Sequence, residues 1–357
     1  MRKRYIYIIL IISLFIWTCE DTTDEVDTEY PVALEQGMDV NRISRAFAQF
    51  DRVITFRGIV LGKNGEIAAE HYYLGTDKDE LHDVRSVTKS VMSILTGIAI
   101  EEGHLESKDQ TLDELMSRAI AELPDTSVGS ITLADILRMS SGLEWHELDG
   151  GNSYFQWYQS DNHIQWVLTQ DWIHEPGSGF NYNTGSIHLL SSIISAKTHK
   201  PVLEYAQEKL FDPLEGESDW TILPPNDGYL NNGGAGLQIS LETMFRLGSM
   251  MIDNGQWNGQ QLVPADWVQQ STSIQNTTGS ANPYYSSYGY LWWIGKKDDV
   301  EFYLASGYGG QFILCAPELD FVAVTTANWL GFDWDSAGDH WYKILTILLD
   351  TIIPAVG

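Results

Sequence analysis

The spacing of apolar residues predicts strands at both ends of the chain and helices between them. Two strand-like runs, residues 54–61 and 66–73, flank the pair Asn64-Gly65, and an Asn-Gly pair between apolar runs is typical of a β-hairpin. Strand character returns near the C-terminus at residues 288–294, 301–306, 311–316 and 321–326. Both ends of the chain therefore predict β-sheet.

Apolar residues at helical spacing predict helices elsewhere. One lies near residues 43–50, and a second runs from Ser86 to Glu101, where Gly103 is placed to end it. Further helices are predicted at residues 133–139, 187–195 and 341–353. This order predicts an α+β fold, in which one antiparallel sheet is flanked by helices and carries a mostly helical lobe over roughly residues 105–230.

The first residues have the pattern of an export signal. Three basic residues at positions 2–4 precede an apolar stretch over residues 5–17, which is shorter than the ~20 residues of a membrane span but suits a signal peptide. Residues 16–19 then resemble the lipobox of bacterial lipoproteins, in which the cysteine, here Cys19, becomes lipidated, although the two residues before it are larger than usual. An ordinary signal peptide and an uncleaved anchor are the alternatives.

This signal implies an organisation for the whole chain. We expect a signal peptide over residues 1–19, an acidic tether over residues 20–40 and one folded domain over residues 41–357. The tether carries too few apolar residues to pack into a core. The protein is therefore expected to be exported and to touch a membrane only through the lipid on Cys19, on the periplasmic or cell-surface side.

Composition argues against several classes of function. The 357 residues contain 21 Lys and Arg against 49 Asp and Glu, a formal net charge of −28, which repels phosphate backbones and argues against a nucleic-acid partner. The nine histidines include no H-E-x-x-H spacing, and no P-loop, dinucleotide fingerprint or G-x-S-x-G elbow occurs. We therefore expect no metal and no cofactor.

Of the two cysteines, Cys315 lies in an apolar run and is predicted to be a buried strand residue.

Ser86 and Lys89 are the strongest candidates for chemistry. Residues three apart on a helix share a face, so the Lys89 amine can reach the Ser86 hydroxyl. A serine hydroxyl needs a base beside it, and a lysine acts as one only when burial or a helix dipole lowers its pKa from about 10.4. The Ser86 N–H, at a helix N-terminus, would also point at a developing oxyanion. The alternative is an N-capping serine beside a solvated lysine.

Two later segments carry further candidates. Residues 176–185 form a turn-rich loop, and Tyr182 in this loop could exchange protons with the seryl oxygen and the leaving group if a cationic amine eased its ionisation. Residues 305–311 combine a strand with three glycines, and glycine in a strand often marks the close approach of a ligand or another backbone. The alternatives are a packing aromatic at Tyr182 and a β-bulge at residues 305–311.

Taken in order, these motifs resemble the β-lactamase-related serine hydrolases, a family that includes class C β-lactamases, penicillin-binding proteins, esterases and 6-aminohexanoate-dimer hydrolase. The family order is S-x-x-K, then Y-x-N, then K-T-G or a variant. In this chain the motifs fall at Ser86 with Lys89, Tyr182 with Thr184, and Ser306 with Gly307. The similarity runs from about residue 43 to the C-terminal helix. It implies the β-lactamase/DD-peptidase fold.

Two departures from the family pattern point away from β-lactam chemistry. Thr184 stands where asparagine is usual, and Ala305 stands where the lysine of K-T-G would lie. In lactam-recognising members that lysine helps to bind the substrate carboxylate and the asparagine contacts the substrate amide, so a charge-assisted bond and an amide partner are both lost. An alternative register places Tyr308-Gly309-Gly310 over the K-T-G motif. We place Ser306 on the threonine of K-T-G because this placement leaves the Tyr308 N–H as a second oxyanion donor after Ser86.

The sequence therefore predicts a serine hydrolase that acts on a small ester, amide or peptide-like substrate. Lys89 would deprotonate Ser86, and Tyr182 would pass the proton to the leaving group and later help water to release the acyl group. The substrate-binding and supporting positions are Thr184, Ser306 and Gly307. A β-lactamase or DD-peptidase is the alternative enzyme. A sensor lipoprotein that acylates without turnover is the alternative from another class.

An aromatic cluster lies between the first two motifs. Its members could line an acyl-group pocket or pack the helical lobe. They are Trp145, Tyr154, Phe155, Trp157, Tyr158, Trp166 and Trp172.

Overall fold

The computed structural model describes residues 29–148, 150–223, 230–279 and 282–357. The predicted signal peptide and Cys19 lie outside these residues. The helices are α1 (Pro31–Glu35), α2 (Val40–Phe50), α3 (Val87–Glu101), α4 (Leu112–Ala121), α5 (Leu133–Leu137), α6 (Ser153–Tyr158), α7 (His163–Leu168), α8 (Thr184–Thr198), α9 (Val202–Ala206), α10 (Leu241–Ile252), α11 (Ala265–Ser271), α12 (Trp334–Ile347) and α13 (Ile353–Val356). The strands are β1 (Phe56–Lys63), β2 (Glu66–Tyr72), β3 (His82–Asp83), β4 (Ser218–Trp220), β5 (Leu237–Ile239), β6 (Gln256–Trp257), β7 (Gln260–Gln261), β8 (Asn276–Thr277), β9 (Tyr285–Tyr288), β10 (Trp293–Lys297), β11 (Val300–Gly307), β12 (Gln311–Ala316) and β13 (Phe321–Ala327).

An antiparallel sheet of eight strands forms the framework of the described chain, in the order β2-β1-β13-β12-β11-β10-β9-β8. β1 and β2 form the predicted hairpin, and Asn64 and Gly65 turn it with φ of 52° and 77°, a left-handed conformation that these residue types tolerate. β13 pairs with β1, with Val324 opposite Val60, so the two ends of the chain share one sheet. The predicted α+β fold is confirmed.

Helices cover both faces of this sheet. On one face, a Cβ added at Gly62 would lie 2.0 Å from the Phe245 ring, so glycine leaves room for α10. Ile313 of β12 also contacts α10, whereas the adjacent residue, Phe312, packs its ring 5.7 Å from that of Trp341 in α12. Because neighbouring strand residues point to opposite faces, α10 and α12 lie on opposite sides of the sheet.

A second sheet of three strands, in the order β3-β5-β4, holds the start of α3. The Val84 N–H donates to the Leu237 carbonyl oxygen over 2.9 Å, which ties the segment before Ser86 to β5. All residues of α3 from Val87 to Ala99 are buried. The predicted helix over residues 86–101 is therefore present. Its start is held by the bond to β5 before Ser86 and by the burial of the helix itself.

The described residues between α3 and β4 form helices, turns and isolated β-bridges. Within this lobe α8 packs against α3. That packing brings the loop before Thr184 up to the first turn of α3.

The prediction of one strand over residues 288–294 is wrong. β9 ends at Tyr288 and β10 begins at Trp293, and the Gly289 N–H donates to the Trp292 carbonyl oxygen over 2.8 Å in the turn between them. Leu291 in this turn has a φ of 64°. The apolar side chains of the turn are buried, so its composition is that of a strand although its backbone reverses direction.

The prediction that the tether extends to residue 40 is also wrong in its last part. Tyr30, Ala33 and Met38 are buried, and α1 lies among the residues that were expected not to pack. The Asp39 N–H donates to the Ala355 carbonyl oxygen over 2.8 Å. The folded part therefore begins before residue 31, where a few apolar side chains suffice to dock a short helix.

The C-terminal helix begins earlier than its apolar residues predict. α12 starts at Trp334, and a π-helical turn, Leu348–Ile352, joins it to α13.

Cys315 lies fully buried in β12, as predicted. In the described ranges, no helix combines the length and the apolar character that crossing a membrane requires.

Candidate active site

Ser86 and Lys89 meet at the first turn of α3. Ser86 is the N-cap of the helix, and its carbonyl oxygen accepts from the Lys89 N–H over 3.0 Å. Lys89 Nζ lies 2.8 Å from Ser86 Oγ and donates to the Gly234 carbonyl oxygen over 2.7 Å. The helical spacing alone predicted this pairing. The contact with Gly234, 145 residues away, was not predictable from it.

The Lys89 amine is electrostatically prepared to act as a base. Its side chain is buried, and this desolvation lowers the pKa of Lys89 to about 8. The positive charge of Arg85 lowers the Lys89 pKa further, while the carboxylate of Glu147 opposes both by raising it. A substantial fraction of the amine is therefore neutral near physiological pH.

Tyr182 reaches the same point from the loop before α8. Asn183 caps α8 by accepting from the Ser186 N–H over 2.8 Å, and the Tyr182 ring stacks on Trp293 with ring centroids 5.7 Å apart. Lys89 Nζ lies 5.0 Å from the centre of the Tyr182 ring. The Tyr182 hydroxyl lies close enough to the Ser86 side chain for that contact to lower the Tyr182 pKa. The structure thus brings the three predicted catalytic side chains together.

The sequence made the role of Tyr182 conditional on a cationic amine that eases its ionisation, and the net shift of the Tyr182 pKa is upward although the charge of Arg85 lowers it. Burial raises the Tyr182 pKa, and the charge of Glu147 raises it further, whereas the contact with Ser86 lowers it by less. Tyr182 is therefore a neutral phenol at physiological pH. It can donate a proton and relay one through its hydroxyl, but it does not serve as a standing phenolate.

The end of β11 forms another wall of the site. Ser306 Oγ accepts from Trp341 Nε1 over 3.0 Å, so this hydroxyl is held by α12. A Cβ added at Gly307 would lie 2.3 Å from the Val84 carbonyl oxygen, which explains the glycine by the close approach of two backbones. Ser306, Gly307 and Tyr308 line the same cavity as Ser86. The role of the Tyr308 N–H as an oxyanion donor stays a prediction.

Thr184 binds a carboxylate that the sequence did not single out. Its hydroxyl donates to Glu147 Oε1 over 2.9 Å, and its N–H lies 3.4 Å from Glu147 Oε2. Trp145 Nε1 donates to the same Oε2 over 2.7 Å. Glu147 lines the cavity and raises the pKa of both Lys89 and Tyr182. The one hint of this carboxylate in the sequence was Thr184 itself, which stands where the family motif has asparagine.

Arg85 is a second residue of the site that sequence reasoning missed. It directly precedes Ser86, lines the cavity and has a backbone φ of 51°. Its guanidinium carbon lies 4.3 Å from the ring centre of Trp329, and Nη1 lies 3.5 Å from Asp83 Oδ2. No local motif marks this residue.

The cavity has a volume of about 1000 Å³, and eleven of the 28 described residues that line it are aromatic. Three members of the predicted aromatic cluster, Trp145, Tyr154 and Phe155, line it. Trp157 instead packs in the lobe, with its ring centre 6.1 Å from that of Trp145. Among the residues that the structure describes, no group of three or more His, Cys, Asp or Glu side chains is arranged to hold a metal ion.

Comparison of the sequence with known proteins identifies relatives of this chain. A family model described as Beta-lactamase matches residues 45–347. A 6-aminohexanoate-dimer hydrolase from Paenarthrobacter ureafaciens is 24% identical over 313 residues, which cover 81% of this chain and 76% of that relative.

Solved structures show the same fold. A protein described as a 6-aminohexanoate-dimer hydrolase from Bacillus anthracis superposes with a TM-score of 0.70 and 22% identity, over 84% of this chain and 78% of that one. A protein described as a beta-lactamase from Bacteroides dorei DSM 17855 superposes with a TM-score of 0.71 and 19% identity, over 89% and 98% of the two chains. At such identities these likenesses establish the fold alone.

Proposed function

This chain belongs to the beta-lactamase family, and we propose that it is a serine hydrolase that cleaves ester or amide bonds through a covalent acyl-enzyme on Ser86. The observation that carries the proposal is the 2.8 Å contact between Lys89 Nζ and Ser86 Oγ, at a lysine whose pKa is lowered to about 8. A neutral amine at this distance can take the hydroxyl proton as the oxygen attacks a carbonyl carbon.

Acylation begins when the Ser86 proton moves to Lys89 Nζ and Ser86 Oγ bonds to the carbonyl carbon of the substrate. The carbonyl oxygen then carries the negative charge, and the N–H groups of Ser86 and Tyr308 are the proposed donors to it. A donor of this kind is worth about 2.7–4 kcal/mol in comparable sites. The intermediate collapses as the bond to the leaving group breaks, and that group takes a proton from the Tyr182 hydroxyl, which Lys89 replenishes.

Deacylation reverses this sequence with water in place of the leaving group. Water loses a proton towards Tyr182 and Lys89 while its oxygen attacks the acyl carbon. The bond to Ser86 Oγ breaks, and that oxygen regains its proton. The neutral Tyr182 hydroxyl suits this relay because it both donates and accepts hydrogen bonds.

The proposed substrate is a small ester, amide or peptide-like molecule. A cavity of about 1000 Å³ that is lined in part by aromatic residues suits an apolar acyl or leaving group beside the reacting carbonyl. A relative described as a 6-aminohexanoate-dimer hydrolase agrees with a hydrolytic reaction. Thr184, Ser306 and Gly307 are proposed to support the bound substrate from the cavity wall.

Hydrolysis of p-nitrophenyl butyrate by the full-length protein in detergent tests this function. Ser86→Ala is expected to lower the rate at least about 10³-fold, whereas Ser44→Ala, an exposed serine of α2 whose hydroxyl donates to the Val40 carbonyl oxygen, should keep the wild-type rate. Equal rates for wild type and Ser86→Ala would reject the assignment. Faster turnover of a chromogenic cephalosporin than of the ester would favour a β-lactamase. A stable acyl adduct in the intact mass would favour a sensor.

We also propose that the protein is exported and anchored by a lipid on Cys19. The proposal rests on the basic start, the apolar stretch and the lipobox-like residues 16–19. Mass spectrometry of the membrane-extracted protein should find Cys19 lipidated at a new N-terminus. Recovery of an unlipidated chain in the periplasmic fraction would contradict it, and Cys19→Ala should produce that unlipidated form.

A further inference from the structure

We propose that Arg85 is a carboxylate-binding residue of the cavity, so that the preferred substrate carries a negatively charged carboxylate near the bond that Ser86 attacks. The inference rests on the proposed function and names the class of substrate. It follows from the hydrogen-bonding state of the guanidinium, from the charges that line the cavity and from the position of Arg85 beside the nucleophile.

The Arg85 guanidinium is held in place but not saturated. An arginine has five N–H donors in one plane. Trp329 covers its face, and its Nη1 has only a long contact of 3.5 Å with Asp83 Oδ2. Tyr154 also lies beside the guanidinium, whose central carbon is 5.9 Å from the centre of the Tyr154 ring. Arg85 Nε is buried and has no hydrogen-bond partner in the described part of the chain.

A buried donor without an acceptor is unfavourable unless a ligand supplies one. Asp83 occupies only part of the guanidinium, because its Oδ1 accepts from the Arg85 backbone N–H over 2.9 Å and its Oδ2 contacts Nη1 alone, over 3.5 Å. Arg85 lines the cavity, and a planar guanidinium matches the two oxygens of a carboxylate, which arginine binds with paired hydrogen bonds.

The charges around the cavity leave Arg85 as the cation available to an anion. Among the described residues of its wall, Arg85 and Lys89 are basic and Glu147 is acidic. Lys89 is committed to Ser86 Oγ and the Gly234 carbonyl oxygen, and its pKa of about 8 leaves it partly neutral. Glu147 is committed to Thr184 and Trp145.

For an anionic substrate, the charge of the whole protein would require such a local cation. A formal net charge of −28 repels anionic substrates from the surface. A carboxylate-bearing substrate therefore needs a fixed positive group inside the cavity. Arg85 precedes the nucleophile by one residue, so a carboxylate bound there would lie close to the reacting carbonyl.

The test compares ester pairs that differ only in a carboxylate. Mono-p-nitrophenyl glutarate and p-nitrophenyl butyrate vary the acyl side, and 4-butyryloxybenzoate and phenyl butyrate vary the leaving group. For at least one pair, Arg85→Gln should lower the ratio of kcat/KM values, anionic over neutral, by about tenfold or more. The ratio cancels any effect on Lys89 that both esters share.

Arg42→Gln is the matched control because it removes the same charge from an exposed ion pair with Asp39. It should keep the wild-type ratios. If Arg85→Gln leaves both ratios unchanged, or if Arg42→Gln lowers them equally, the proposal is overturned. If the wild-type protein shows no preference for the anionic ester in either pair, while turnover of the neutral ester still depends on Ser86, the Arg85 proposal fails and the proposed function stands.

A binding measurement covers the cases in which Arg85→Gln does not fold or no ester is turned over. Calorimetry on the full-length wild-type protein should find phenylacetate bound at least about tenfold more tightly than the neutral phenylacetamide. Equal affinities would overturn the proposal whether or not the protein hydrolyses esters.

Discussion

The Thr184 hydroxyl donates a hydrogen bond to Glu147 Oε1 over 2.9 Å, although Glu147 lies 37 residues before Thr184 in the chain. This contact holds the Glu147 carboxylate beside the cluster of Ser86, Lys89 and Tyr182. The negative charge of Glu147 raises the pKa of Lys89 and of Tyr182. It therefore opposes the burial that makes Lys89 a base and reinforces the burial that keeps Tyr182 neutral. The balance between these effects sets the pH range of the proposed reaction.

Glu147→Gln should shift the acid limb of the pH profile of kcat/KM to lower pH. Without the carboxylate the protonated amine is less stable, so the Lys89 pKa falls and the neutral base persists in more acidic solution. Glutamine keeps the size of the side chain and an oxygen for the Thr184 hydroxyl. Glu144→Gln removes an acid paired with His146 instead and should leave the profile in place. A limb that moves to higher pH in Glu147→Gln would contradict the assignment.

Wild-type kcat/KM should rise with pH through a value near 8. The active form carries a neutral amine, and its fraction grows as the pH passes the Lys89 pKa of about 8. Lys89→Met should lower kcat/KM by about 10²–10⁴-fold and abolish this limb, whereas Lys78→Met, an exposed lysine, should keep it. An unchanged limb in Lys89→Met would show that another group titrates.

Lys89→Met should also stabilise the protein at neutral pH. The folded state holds Lys89 at a pKa of about 8 against 10.5 for the free side chain, so the unfolded state binds more protons between these values and stability rises with pH across that window. Below pH 8 the full cost, on the order of 3 kcal/mol, is present.

Lys89→Met removes that cost but leaves the Gly234 carbonyl oxygen without its donor, which offsets about 1–2 kcal/mol. Denaturant unfolding should therefore show Lys89→Met more stable than wild type at pH 7 and about equal to or below it near pH 10.5. A variant less stable than wild type at pH 7 would contradict the buried, costly amine.

Tyr182→Phe should lower kcat by about 10²–10⁴-fold while the protein stays folded. Phenylalanine keeps the stacking on Trp293 but cannot relay a proton to the leaving group. In kcat/KM, which reports acylation and not deacylation, the loss should be smaller for p-nitrophenyl esters than for alkyl amides, because p-nitrophenolate leaves without protonation. Equal losses on both substrates would argue that Tyr182 only packs.

Gly307→Ala should destabilise the protein by roughly 1–3 kcal/mol and reduce activity. The new Cβ would lie 2.3 Å from the Val84 carbonyl oxygen, so β11 or the segment before Ser86 must shift. Gly338→Ala in α12 meets no atom within 4 Å and should keep or slightly raise stability. Thermal unfolding of the two variants distinguishes a steric clash from a general effect of alanine.

Local patterns in the sequence predicted the elements that carry the nucleophile. Helical spacing placed Ser86 and Lys89 on one face, and the Asn64-Gly65 pair marked the hairpin that the structure contains. The same method failed at residues 288–294, where Leu291 adopts a φ of 64° inside a buried turn. Apolar composition reports burial there, and it does not report the direction of the backbone.

The polar surroundings of the nucleophile were not predictable from local patterns. Glu147 and Gly234 reach the cluster only because α8 packs against α3 and β5 pairs with β3. Arg85 matters because Trp329, 244 residues later in the chain, lies over its guanidinium. Contacts of this kind depend on the tertiary fold, which leaves no periodic signal along the chain.

The most direct test of the account is the site of covalent labelling by a fluorophosphonate probe, read by mass spectrometry of the digested full-length protein. The account predicts one adduct on the peptide that carries Ser86, absent in Ser86→Ala and formed much more slowly in Lys89→Met. An adduct on a different residue, or equal labelling of Ser86 in the wild type and in Lys89→Met, would contradict it.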